Sequence, residues 1–215
     1  MTLQTPPNRC RLVLIAMPGT QDDQLAAALA GGDVASVLLP QGDMDEVAFQ
    51  RSVEKLAPLA QAAGAAAILA GDSRVVGRIK ADGIHIEGKR PELADAIERV
   101  QERMVVGCGG VKTRDEALEL GEEGPDYLFF GRFGYDTDAN PHPRNLNLGA
   151  WWAEMVEIPC IVMGGNDVAS VVDVAATGAE FVALSAAVFA DGGDPREAVA
   201  RANALLDEHA PRFDN

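Results

Sequence analysis

The chain has 215 residues, with 33 acidic and 18 basic side chains and a formal net charge of −15. So acidic a surface repels nucleic acid and anionic membranes at long range, which argues against polyanion partners. Hydrophobic residues at 47% and charged residues at 24% are enough for one sizeable core, and no apolar run approaches the roughly 20 residues that span a bilayer.

Short apolar runs recur along the chain, each closed by turn residues and followed by a helix-like stretch. Strands are expected at Arg11–Ala16, Ser36–Leu39, Ala66–Ala70, Gly83–Ile86, Met104–Cys108, Tyr127–Phe130, Cys160–Met163 and Phe181–Ser185. Their brevity and continuous apolar character fit parallel strands buried on both faces. Between them, Gln21–Leu29, Asp45–Ala63, Asp72–Ile79, Pro91–Glu102, Arg114–Glu122, Leu148–Met155, Val168–Ala176 and Pro195–His209 read as helices, most with apolar residues at three- and four-residue spacing. Pro91 and Pro195 suit first-turn positions, and Gly64, Gly124 and Gly178 suit left-handed helix ends. Eight βα units without a linker predict an α/β fold, a single (β/α)8 TIM barrel of parallel strands over residues 1–215. The turn after the first strand, Met17–Thr20, is not the Gly-rich loop of an open doubly wound sheet.

Cys10, Cys108 and Cys160 form no CxxC pair, and the polar start MTLQTPPNRC lacks a signal-peptide core, so a soluble cytoplasmic protein is expected. Cys108 reads as an inert buried thiol and His85 as a packed, hydrogen-bonded side chain. One of Trp151 and Trp152 is expected on the barrel, the other over a loop or a subunit contact, which leaves a homo-oligomer open.

In such barrels the active site lies at the C-terminal ends of the strands, and the loops after strands seven and eight often hold a phosphate. Strand seven runs into Met163-Gly164-Gly165-Asn166 and strand eight into Ser185-Ala186-Ala187. Glycines let backbone approach an anion, and N–H groups at helix starts point at it. Gly164, Gly165 and Ser185 are therefore candidate phosphate-binding residues, the alternative being a plain tight turn. Lys89, Arg90, Lys112 and Arg132 follow strands four, five and six. They are candidate ligand-binding cations at the barrel mouth, or else solvated loop charges. The long segment 132–147 is either a cover that closes on ligand or a loose excursion. Its Asp136 and Asp138 alone are a sparse set for a hard cation. Asp72 either ligates Mg²⁺ or caps the next helix.

Several segments together resemble a known family. ADGIHIEG at 81–88 is similar to its ADGVHLGQ. Asp115-Glu116-Ala117 with DYLFFGRF at 126–133 resembles its EEA…DYxxxGxxF, and IPCIVMGGN at 158–166 with Gly178–Ser185 resembles its IPVxAIGGI…GADGVAVxS. The family is the thiamine-phosphate synthase and TenI (thiazole tautomerase) superfamily, and the resemblance covers most of the chain from strand three onward. It implies a transferase of thiamine biosynthesis that joins a pyrimidine methyl diphosphate to a thiazole phosphate, with Mg²⁺ and basic groups around the departing diphosphate.

The departures from that pattern are specific. The synthase Gln-Leu-Arg-Glu-Lys run falls at Leu38-Leu39-Pro40-Gln41-Gly42. The Asn-Asp pair becomes Gly71-Asp72, which keeps one magnesium ligand, and the second magnesium Asp falls near Lys89-Arg90. The Ser-x-His run becomes Gly110–Thr113, the Thr-x-Thr-Lys run becomes Asp136–Ala139, and the tautomerase His falls at Arg132. The expectation is a diverged member that keeps the thiazole-phosphate half of the site and has largely lost the metal and diphosphate half. The alternatives are a non-catalytic phosphate-binding or regulatory paralogue, and an unrelated phosphate-binding barrel enzyme such as an aldolase using Lys112.

Overall fold

The computed structural model describes residues 6–71, 73–76 and 78–213. Among these, eight parallel strands close into a barrel in chain order, the first pairing with both the second and the last. They are β1 (Arg11–Ile15), β2 (Ser36–Pro40), β3 (Ala66–Ala70), β4 (Gly83–Glu87), β5 (Val105–Gly109), β6 (Tyr127–Phe130), β7 (Cys160–Met163) and β8 (Phe181–Leu184). Around them run α1 (Asp22–Leu29), α2 (Glu46–Ala62), α3 (Ser73–Val76), α4 (Arg90–Val100), α5 (Arg114–Gly121) and α6 (Pro143–Met155). A 3-10 turn at Val168–Ser170 leads into α7 (Val171–Ala175), followed by α8 (Ala186–Phe189) and α9 (Pro195–His209). The expected TIM barrel is the observed fold.

Each strand is apolar on both faces because each face has its own core. Outward side chains such as Leu12, Leu14, Val37, Leu69, Cys108, Phe130 and Val182 pack against the helices. Inward side chains form a separate cluster of Val13, Ile15, Leu38, Ile68, Tyr127, Phe129, Ile161, Met163 and Ala183. The two large inward rings fit because neighbouring strands yield space. A Cβ on Gly107 would run into the Tyr127 ring, and one on Gly109 would stand 3.3 Å from the Phe129 Cβ.

The N-terminal end of the barrel is held by acidic residues that precede alternate strands. Asp82, before β4, accepts from the Ala67 N–H at 2.8 Å. Asp126, before β6, accepts from Val106 at 2.7 Å, and Glu180, before β8, from Cys160 at 2.8 Å. Each satisfies an amide at the start of the preceding strand. At the same end Arg11 makes two bonds to Asp33, at 2.9 and 2.7 Å. The buried Arg9 guanidinium reaches Asp207 at 2.8 Å and Asn203 at 3.1 Å, and Arg9 bridges to Arg212.

Most expected elements agree to within two residues. Two differ in a way that matters for the site. Helix α6 starts at Pro143, five residues before Leu148, with the His142 ring nitrogen accepting from the Arg144 N–H. The long β6–α6 connection is correspondingly shorter. The short α8 was not expected, since four residues of Ala-Ala-Val-Phe carry no helical period. Of the tryptophans, Trp152 is fully buried on Phe130 with its indole N–H on the Ile158 carbonyl. Trp151 lies under the Arg114 guanidinium rather than over the long loop.

Substituting Gly107→Ala forces Tyr127 from its place and is expected to cost about 1–3 kcal/mol, read as a lower urea midpoint with an unchanged denaturant slope.

Candidate functional site

The C-terminal ends of β7 and β8 form one corner of the barrel mouth, and its amide groups are engaged differently from the sequence expectation. The Gly164 N–H bonds the Ala183 carbonyl at 2.9 Å as part of the barrel ladder. The Gly165 N–H bonds the Ser170 hydroxyl at 3.0 Å, and the Ser185 hydroxyl donates to the Ile15 carbonyl at 2.9 Å. These three residues shape the corner, but the Gly164 and Gly165 N–H groups and the Ser185 hydroxyl are spent within the protein. The donors that face out of it lie one residue further along each loop, at Asn166 and Ala186.

Both are covered by a four-residue strap from the β6–α6 connection. The Asn166 N–H bonds the Asp138 carbonyl at 2.8 Å and its side-chain amide bonds the Thr137 carbonyl at 2.8 Å. The Ala186 N–H, at the start of α8, bonds the Asp136 carboxylate at 2.6 Å. Asp136 is buried, at 8% exposure, although its neighbours Tyr135 and Thr137 are exposed. Gly165 admits no side chain because the Ala139 carbonyl lies directly over it. The segment is therefore a fastened cover rather than a loose excursion, and it brings a carboxylate into the corner.

The four candidate cations separate. Lys89 pairs with Glu92 at 3.1 Å, its side chain 71% exposed. Arg90 reaches Glu122 and Glu123 beside α5. Both sit at the start of α4 and are paired with carboxylates on the helical shell. Lys112 is exposed beside α5, where its backbone N–H bonds Glu116 at 2.6 Å. It is not an inward strand lysine of the kind a Schiff-base aldolase uses. Arg132 stays at the mouth, its guanidinium 3.8 Å from the centre of the Tyr135 ring, a stacking contact on an exposed aromatic.

Between β4 and β6 His85 is the packed, hydrogen-bonded side chain expected from sequence. His85 is buried, with Nδ1 2.9 Å from the Tyr127 hydroxyl and Nε2 3.6 Å from the Glu87 carboxylate. Burial holds the Tyr127 phenol well above its ordinary 10.0, reinforced by the nearby Cys108, Glu87 and Asp126. Positions 85 and 87 alternate onto the same strand face, which is the signal that pairs Glu87 with His85.

Asp72, the expected magnesium ligand, lies outside the described residues. Among the described residues no group of three or more His, Cys, Asp or Glu side chains is placed to hold a metal ion. Where the resemblance puts a second magnesium carboxylate, Lys89 and Arg90 stand in their ion pairs. The described residues alone do not fit Mg²⁺. Among them, too, no helix is long and apolar enough to cross a membrane.

Comparison with known proteins agrees with this fold. A family described as thiamine monophosphate synthase matches residues 12–188. The chain belongs to that family. It is 35% identical to the thiamine-phosphate synthase of Rhodospirillum centenum over 202 residues, covering 92% of this chain and 98% of that one. It is 30% identical to that of Hyphomonas neptunium over 216 residues, covering 95% and 97%. Among solved structures, the thiamine phosphate pyrophosphorylase of Pyrococcus furiosus superposes with a TM-score of 0.78 at 21% identity, over 95% of this chain and 98% of that one. Three segments of the resemblance, ADG at 81–83, PDY at 125–127 and GAE at 178–180, carry the acids that tie the N-terminal end of this synthase-family barrel.

The cysteines lie outside the mouth. Burial pushes the Cys10 and Cys108 thiols from 9.0 up to about 12, partly opposed at Cys10 by Arg9, and raises Cys160 further. Folding thus keeps on these thiols protons that the unfolded chain releases above about pH 9. Their contribution to stability is whole below that pH and falls as pH rises through about 12. A thiol-specific reagent at pH 8 is expected to label none of the three in the native protein and all of them in urea, and the urea midpoint to fall above about pH 9.

Proposed function

We propose that this member of the thiamine monophosphate synthase family binds a phosphate monoester of the thiazole phosphate kind at the β7–β8 corner, and that its metal and diphosphate half is reduced. The observation that carries the reading is the Asp136 carboxylate on the Ala186 N–H. An anionic oxygen already occupies this corner, and it comes from the chain itself. The Ala186 and Asn166 amides converge on the underside of one short strap. Lifting the strap frees both for a ligand oxygen. Gly165 supports the same reading, because its bare backbone permits close approach.

Arg132 is the cation best placed to neutralise a bound phosphate, since its ring stack leaves the guanidinium edge open to further hydrogen bonds. Lys112, at the rim after β5, is a second. The β2 end supports the loss of the diphosphate half. Its Pro40-Gln41-Gly42 has neither arginine nor lysine, and the Gln41 amide donates locally to the Met44 carbonyl. A departing diphosphate thus meets less positive charge than the synthase pattern supplies.

Titration calorimetry with thiazole phosphate tests the reading. Asp136→Ala removes the internal competitor and is expected to bind about tenfold tighter than the native chain. Absence of binding by both proteins would reject the phosphate site, and equal affinities would reject Asp136 as its occupant. Purified protein supplied with the pyrimidine diphosphate, thiazole phosphate and Mg²⁺ is expected to yield little thiamine phosphate, and brisk formation would restore the full transferase.

A further inference from the structure

The helical shell is thin outside β4. Helix α3 is a single turn of 4 residues, between the 17 residues of α2 and the 11 of α4. One turn rises about 6 Å, whereas a strand of the length of β4 runs about 16 Å, so α3 cannot roof the strand that follows it. The outward side chains of β4, Ile84 and Ile86, line a cavity of about 900 Å³ between α3 and α4. Val76 and Ile79 line it from the α3 side, and Val100 and Met104 from the end of α4 and the turn beyond. A concave space of this size with a mostly apolar lining is the usual make-up of a small-molecule site.

The charged residues of the lining are unevenly matched. Its acids, Glu92 and Asp95, are both taken, by Lys89 at 3.1 Å and by Arg99 at 2.9 Å. Its cations Lys80 and Arg103 are exposed, and among the described residues neither has an ion-pair partner. Lys80 precedes β4 and Arg103 precedes β5, and these strands pair side by side from Gly83 and Val105 onward. Both cations therefore stand at the N-terminal end of the barrel, the end where α4 carries Arg99 in its last turn. The nearby Asp82 carboxylate is engaged by the Ala67 N–H and the Gln61 side-chain amide. On a chain of net charge −15, this cavity combines an apolar body with a surplus of positive charge at one end.

We propose that the cavity between α3 and α4 binds an amphipathic carboxylate, its apolar body along Ile84 and Ile86 and its anionic head at Lys80 and Arg103. The site lies on the outer face of the sheet, away from the barrel mouth, and stands independently of the phosphate corner. Two terms act together. Burying the body removes apolar surface of ligand and groove from water, and the two cations offer charge-assisted hydrogen bonds to the head. A short anion has nothing to bury, and an uncharged chain leaves both cations unmatched.

The test titrates the native chain, and a double variant carrying Lys80→Gln and Arg103→Gln, with three probes below their micelle-forming concentrations: dodecanoate, which has chain and charge; dodecanol, which has the chain alone; and acetate, which has the charge alone. Both replaced side chains are exposed, so the variant should keep the fold. The native chain is expected to bind dodecanoate about tenfold tighter than dodecanol and to show no measurable binding of acetate. The variant should bind dodecanoate and dodecanol alike. Methyl resonances of Ile79, Ile84 and Ile86 should move on adding dodecanoate, while those of Val13 and Ile161 in the barrel interior stay. No binding of dodecanoate, a preference for it that survives in the variant, acetate binding as tightly as dodecanoate, or resonance shifts confined to the interior would each overturn the site.

Discussion

Two rings on β6 fix how this barrel closes. Tyr127 and Phe129 point inward from adjacent turns of the pleat, and the strand beside them gives up its side chains at Gly107 and Gly109 to receive them. A closed interior packed to ordinary protein density tolerates neither a void nor a second large side chain at that level. The height of β6 relative to β5 follows from this fit. So does the point at which the chain leaves the sheet and turns back over the mouth, and hence the landing of Asp136 on the Ala186 amide.

The two ends of the barrel treat backbone amides in contrasting ways. At the N-terminal end, carboxylates from Asp82, Asp126 and Glu180 satisfy amides at strand starts permanently, as part of the scaffold. At the mouth, one carboxylate on a surface strap performs the same bond on α8. Position decides the difference. The first three acids sit immediately before a strand and cannot leave without unpicking the sheet, whereas Asp136 belongs to a connection that carries no strand pairing.

The strands were legible because burial on both faces leaves short, uninterrupted apolar runs, and the helices because apolar residues recur at three- and four-residue spacing and Pro91 and Pro195 stand in first turns. Gly164, Gly165 and Ser185 line the β7–β8 corner, yet the strap's bonds fall on Asn166 and Ala186. Sequence locates a turn to within a residue but not the partner each amide has taken. The ion pairs of Lys89 and Arg90 were not legible, because a position after a strand does not determine which nearby carboxylate a long side chain reaches. Asp136 carried no sequence signal as an occupant, since its burial depends on a strap whose path only the fold reveals. Glu87 was readable in principle from its alternation with His85.

The seam between β1 and β8 sets an order on the protein's birth. β1 is made before β8, so one of its edges stays unpaired until Phe181–Leu184 has been made. The neighbouring Arg9 guanidinium has its partners, Asn203 and Asp207, on the last helix. A nascent chain halted before that helix therefore holds an open sheet edge next to an unmatched positive charge. The edge invites pairing with another chain, while the charge makes it costly to bury that edge in a wrong contact. The same arginine that locks the finished seam thus guards the unfinished one.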